Sequence, residues 1–173
     1  MKFLCAAAVL AFAQDAAKPT PYHDFLKQFE GTWDATVKMY GDPSKPPVES
    51  KGVETSRLDL NGLWLVFDFK CEEMMGQPFK GHGVWGYDVQ KRKYVGLWVD
   101  SMIASMDVSE GTCDEKGKVF TFISEMSDPN GKKQKARHIY EIKDKDTKLF
   151  TFNMVLDGGK EFTVMTIEYK RRK

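Results

Sequence analysis

Side chains able to hold a metal, move a proton or attack an electrophile are spread thinly through this 173-residue chain. Its three histidines, His23, His82 and His138, are scattered rather than grouped at the short spacing of a zinc site. Cys71 and Cys113 form no Cys-x-x-Cys pair, and there is no Gly-x-Ser-x-Gly elbow. Gly81-His82-Gly83 could cradle a phosphate only ahead of a helix, whereas it lies in a stretch of strand character. Glycines placed there relieve crowding or mark a bulge. The carboxylates fall mostly in turns or at outward positions, and no acid–base pair stands out. The sequence names no catalytic residue, no metal site and no cofactor, and it leans away from an enzyme.

What remains is binding chemistry. Trp98, Asp100 and Tyr169, with Arg57 and His138, are the polar or amphipathic groups that strand alternation could aim into an aromatic interior. Polar groups in such a place hydrogen-bond a ligand or one another. For Arg57 two roles stay open: an internal ion pair with Asp100, or a seat for an acidic ligand.

These residues need elements to position them. Apolar residues at 25, 26 and 29 give helical spacing for a short helix over 22–29. From Gly31 onward the period becomes two, and β-branched and aromatic residues dominate. Ten strands are expected, over 32–40, 52–60, 63–71, 79–87, 93–100, 105–111, 118–126, 135–142, 149–156 and 161–171. Asn61-Gly62 is the strongest hairpin signal, and Asp114 to Gly117, Pro129-Asn130-Gly131 and Asp157-Gly158-Gly159 are further turns. No connection can house the crossover that a parallel pair requires. The economical topology is an antiparallel up-and-down meander, and its even strand count lets the first and last strands pair and remove both edges. A two-sheet sandwich could use the same strands with longer crossings.

Gly31-Thr32-Trp33 opens the first strand after the short helix, and Tyr169-Lys170-Arg171 ends the last. This pairing resembles the lipocalin and fatty-acid-binding superfamily, the calycins, in which a first-strand Trp plugs the closed end and an Arg stacks over it. The meander brings Trp33 and Arg171 to one end, where a cation–π contact is expected. Over most of the chain, Gly31-Thr32-Trp33, Phe79-Lys80-Gly81-His82-Gly83, Gly86-Tyr87-Asp88, Trp98-Val99-Asp100-Ser101, Gly159-Lys160-Glu161 and Tyr169-Lys170-Arg171 together resemble the bacterial family DUF1579. That resemblance implies a lipocalin-like barrel, often exported, and brings no activity with it. An acidic ligand on Arg57 would parallel the fatty-acid-binding proteins. The nitrobindin branch of the calycins implies haem on a barrel histidine, with His138 the first candidate and His82 the second. Against haem, Asp34-Ala35-Thr36 follows Trp33 where nitrobindins carry a glycine-rich stretch.

Short connections collect at the Trp33 end, and the long ones, 41–51, 72–78 and 127–134, at the other, which is therefore the expected mouth. Seven methionines, Met39, Met74, Met75, Met102, Met106, Met126 and Met154, fall toward that mouth, with Met165 deeper. Methionine is flexible and polarizable, so Met74, Met75 and Met102 are expected to form an apolar portal. Cys71 at the mouth and Cys113 at the closed end stand a strand length apart, roughly 20 Å. A disulfide needs about 4.4–6.8 Å, so both thiols are expected to be free. Alternation turns inward Trp33, Ala35, Val37 and Met39; Leu63, Leu65, Phe67 and Phe69; Met106 and Val108; Phe150, Phe152 and Met154; and Met165, Ile167 and Tyr169. Alternation leaves the second, fifth, seventh and eighth strands ambiguous, and the resemblance tips the fifth toward Tyr94, Gly96, Trp98 and Asp100 inward.

Met1-Lys2 followed by an apolar run over 3–13 has the form of a signal peptide, with Ala11-Phe12-Ala13 as the cleavage motif. Residues 1–13 are thus expected to be removed on the way to a secreted or periplasmic location, leaving a loose leader at 14–21 and one domain at 22–173. The run is too short to span a bilayer. Lys and Arg number 26 against 25 Asp and Glu, with no basic tract to follow a phosphate backbone, which argues against nucleic acid. The expectation is an all-β, ten-stranded calycin barrel with a short N-terminal helix, binding a small apolar or amphipathic molecule. Its alternatives are an enzyme or haem protein on the same barrel, or a partner-binding scaffold with a filled core.

Overall fold

The computed structural model describes residues 16–42, 44–127 and 131–173. The expected signal peptide, the start of the leader and part of the Pro129-Asn130-Gly131 turn lie outside the described residues. A helical turn α1 (Pro21–Asp24) runs into a 3₁₀ segment (Phe25–Phe29). Ten strands follow: β1 (Gly31–Met39), β2 (Val48–Asp59), β3 (Trp64–Met74), β4 (Gln77–Asp88), β5 (Lys93–Asp100), β6 (Asp107–Cys113), β7 (Val119–Ser127), β8 (Lys133–Ile142), β9 (Thr147–Val155) and β10 (Glu161–Arg171). Each pairs antiparallel with its sequence neighbours, and β1 pairs with β10 from Trp33 opposite Arg171 to Met39 opposite Met165. The barrel is closed, so no strand edge is left unpaired, and the sandwich alternative is set aside.

The helical segment seals one end. Leu26 and Phe29 are fully buried, and the Phe29 ring meets Trp85 and Phe120 edge to face at 5.3 and 5.2 Å. Its last turn leaves backbone carbonyls without helical partners. Trp33 Nε1 donates to Phe29 O at 2.8 Å, and the Arg171 guanidinium donates to Gln28 O at 3.0 Å and to Glu30 O. That guanidinium lies 4.0 Å from the centre of the Trp33 ring, the cation–π contact expected from the meander. The closed end is therefore fastened by one residue from each end of the domain.

Three inward assignments need correction. Leu63 lies in the β2–β3 connection and not on a strand. Met106 and Val108 are 57% and 61% exposed, because β6 turns Asp107 and Ser109 inward instead. Alternation tracks hydrophobicity only where the interior is a dry core, and at β6 the interior is partly polar. Cys71 is buried, Cys113 is half-buried, and neither is in a disulfide.

Candidate functional site

Between the helical plug and the long loops the interior stays open, with a cavity of about 380 Å³ reaching the mouth. That volume lies within the size range of small-molecule sites. Phe67, Trp98 and Phe79 make one wall, with Trp98 near-parallel to Phe67 at 5.8 Å and to Phe79 at 6.4 Å. Two glycines make room for this wall. A Cβ at Gly81 would lie 2.1 Å from the Trp98 ring, and one at Gly83 would lie 2.1 Å from the Phe67 ring. Gly81-His82-Gly83 is thus a platform on which indole and phenyl lie flat, in keeping with relief of crowding and not with a phosphate loop.

Trp98, Asp100, His138, Tyr169, Met74, Met75 and Met102 all line the cavity, as do Met39, Met126 and Met165. Arg57 does not. Its side chain is 59% exposed on the outer face, 3.4 Å from Asp59, because β2 turns Glu54 and Ser56 inward and the intervening positions outward. Both roles considered for Arg57 therefore fail. Asp100 instead accepts from Trp98 Nε1 at 3.1 Å and from the backbone N–H groups of Met102 and Ile103 at 2.8 and 3.0 Å. It orients the indole and holds the mouth loop that carries Met102. His82 lies outside the barrel, 3.0 Å from Asp68 with both side chains about half exposed, so it cannot serve an interior haem.

The floor of the cavity carries a buried ion pair that period-two reading did not find. Lys148 Nζ donates to Glu54 Oε1 at 2.5 Å, with the two side chains only 2% and 7% exposed. Ser56 Oγ donates to the same oxygen at 2.8 Å. Tyr169 also hydrogen-bonds Glu54, and burial together with that charge pushes its phenol well above the ordinary value, so it stays a neutral donor. The Lys148 ammonium lies 4.4 Å from the Trp33 ring centre and 4.5 Å from that of Tyr169. Two cations, Lys148 and Arg171, thus share one indole, and burial lowers the Lys148 pKa while Glu54 raises it.

Higher on the wall, His138 Nε2 lies 3.2 Å from Ser124 Oγ and 3.5 Å from Asp107 Oδ2. The trio has the membership of a nucleophilic triad but not its wiring, since serine and carboxylate meet the same ring nitrogen and not opposite ones. The same engagement leaves Nε2 turned toward Ser124 and Asp107 and not presented to an incoming iron, so this wall does not fit haem ligation by that atom. Burial lowers the His138 pKa, with Asp107 opposing, which favours the neutral ring. Among the described residues no group of three or more His, Cys, Asp or Glu is arranged to hold a metal ion.

Solved structures to which the barrel is similar include two of natural proteins. One is the crystal structure of Rv2717c from M. tuberculosis, 16% identical, covering 89% of this chain and 99% of that one with a TM-score of 0.63. The other is the S-type phycobiliprotein lyase CPES from Guillardia theta, 14% identical, covering 87% and 92% with a TM-score of 0.55. At these identities the likeness is one of fold. No curated protein sequence matches the chain. The family model described as protein of unknown function (DUF1579) matches residues 18–171, nearly the whole of the described barrel, and the chain belongs to that family.

Proposed function

We propose that this protein binds a small, largely apolar molecule inside its barrel. The observation that carries the reading is the open cavity of about 380 Å³, walled by Phe67, Phe79, Trp98 and Phe152 and rimmed by Met74, Met75 and Met102. A scaffold with a filled core would place packed side chains there. Flexible thioethers at a mouth allow apolar guests of differing shape to pass. The absence of triad wiring at His138 speaks against acyl-transfer chemistry. Export through residues 1–13 belongs to the same proposal, and an intact mass beginning at Gln14 in the secreted or periplasmic fraction would support it. Pyrene, which is apolar, aromatic and lacks hydrogen-bonding groups, tests the pocket itself. Titration into the mature protein should give saturable quenching of tryptophan emission at one pyrene per chain. Emission that never saturates, or does not change, would remove the reading.

A further inference from the structure

The charges that face the cavity are one-sided. Among the described residues Glu54, Asp100 and Asp107 line it, no lysine or arginine does, and His138 is the only basic group in the lining. Two of the carboxylates are supplied from within the protein. Glu54 is held by Lys148, Ser56 and Tyr169, and Asp100 by the Trp98 indole and two backbone N–H groups. Asp107 differs. Its Oδ2 faces His138, while Oδ1 is buried with no hydrogen-bond partner among the described residues. Buried acceptors left unpaired are uncommon, and for a charged oxygen the omission costs more than for a neutral one.

Resting on the ligand-binding reading above, we infer that Asp107 is the anchor for the ligand's head group, and that the head is a nitrogen donor, a protonated amine or another N–H. Asp107 pairs across the sheet with Trp98, and so stands where the aromatic wall meets the mouth side of the cavity. A modest turn of the Asp107 carboxylate presents Oδ1 to a donor there, which completes its valence while the apolar body lies along Phe67, Phe79 and Trp98. The Phe152 ring, 5.0 Å from that of His138, adds an aromatic neighbour suited to a cation. A carboxylate head has the opposite fate: with Glu54 already matched by Lys148, it would enter beside Asp100 and Asp107 with no lysine or arginine among the described lining residues to receive it, at the desolvation cost of an unpaired buried charge. The cavity thus selects against fatty acids and for amine-headed or N–H-bearing apolar molecules.

The experiment is a displacement series against bound pyrene with dodecylamine, dodecanol and dodecanoate, which share one chain length and differ in the head. Wild-type protein should rank amine before alcohol before carboxylate, with about tenfold between amine and carboxylate, the scale of a hydrogen bond to a charged group. Asp107→Asn keeps the side chain's size, removes its charge, and should bring the amine and carboxylate within about threefold of each other, each affinity being referred to the variant's own pyrene affinity. A flat or reversed wild-type ranking, or a ranking that Asp107→Asn leaves intact, overturns the anchor even though pyrene binds. Failure of pyrene itself to bind overturns the cavity reading instead. The wild-type ranking needs no variant to fold, so the inference stays testable if Asp107→Asn is unstable.

Discussion

The closed end and the open half of this barrel use buried polarity in opposite ways. At the floor, the named polar groups are partnered within the protein: Lys148 with Glu54, Ser56 and Tyr169 with Glu54, and Arg171 with the carbonyls of Gln28, Glu30 and Lys145. Nearer the mouth, Asp107 keeps an oxygen without a partner among the described residues, methionines take the place of packed aromatics, and Met75, Met102 and Ile103 stand exposed at the rim. A completed network specifies one structure. An incomplete one beside a cavity is where a guest gains something by arriving. Stability and recognition are thus assigned to different ends of the same strands, since β2 and β6 each contribute a carboxylate, one saturated and one not.

The largest effect expected from breaking this contrast is at the floor. Lys148→Ala leaves the Glu54 charge buried with its cation gone, and should cost about 3–5 kcal/mol in urea unfolding. The double variant Glu54→Gln with Lys148→Met, which removes both charges, should recover most of that loss. Equal destabilisation by the single and double variants would show that the floor depends on side-chain packing and not on the pairing.

Next is the platform under the aromatic wall. Gly81→Ala places a methyl within the Trp98 ring, so the indole must shift into the cavity. The variant should lose about 1–3 kcal/mol and bind pyrene more weakly. Unchanged pyrene affinity would place the binding surface elsewhere.

How much of this was legible in the sequence follows from the same contrast. The barrel was readable because β1 and β10 obey period two and end in Trp33 and Arg171, which meet as expected. Tyr169 is readable as a cavity residue because alternation on β10 fixes its inward face, whereas Trp98 and Asp100 are placed inward by the family resemblance, since alternation on β5 leaves both faces open. Glu54 and Lys148 are not readable. They are 94 residues apart in the chain, so neither shows a partner until the ring of strands is closed, and β2 carries polar residues on both faces. Arg57 was misplaced for that reason. Asp107 was hidden by inversion: β6 turns Val108 outward and Asp107 inward, the reverse of a core strand, and that reversal itself signals a cavity. His82 stands behind His138 as a second candidate in the sequence, and strand register shows its ring to be the outward one of the two.

The smallest effect concerns pH. Burial holds the His138 pKa below its ordinary value near 6.5, so the unfolded chain takes up the proton first as pH falls. Stability contributed by the neutral ring is complete above about pH 6.5 and is lost as pH falls toward the lowered folded value. His23, buried in the helical plug, is shifted the same way for the same reason. His138→Gln should therefore flatten part of the decline in urea midpoint between about pH 7.5 and pH 5.5, with His23 keeping the remainder. A steeper decline in the variant would mean that Asp107 holds His138 charged, and would reverse the electrostatic picture of the wall.

The methionine methyl groups offer the most direct measurement of the central claim. Met74, Met102, Met126 and Met165 face the cavity, whereas Met106 is exposed on the outside. In protein carrying ¹³C-methyl methionine, saturation with pyrene should shift the resonances of Met74 and Met165 and leave Met106 in place. Shifts confined to Met106, or none at the lining methionines while pyrene is bound, would contradict an interior site.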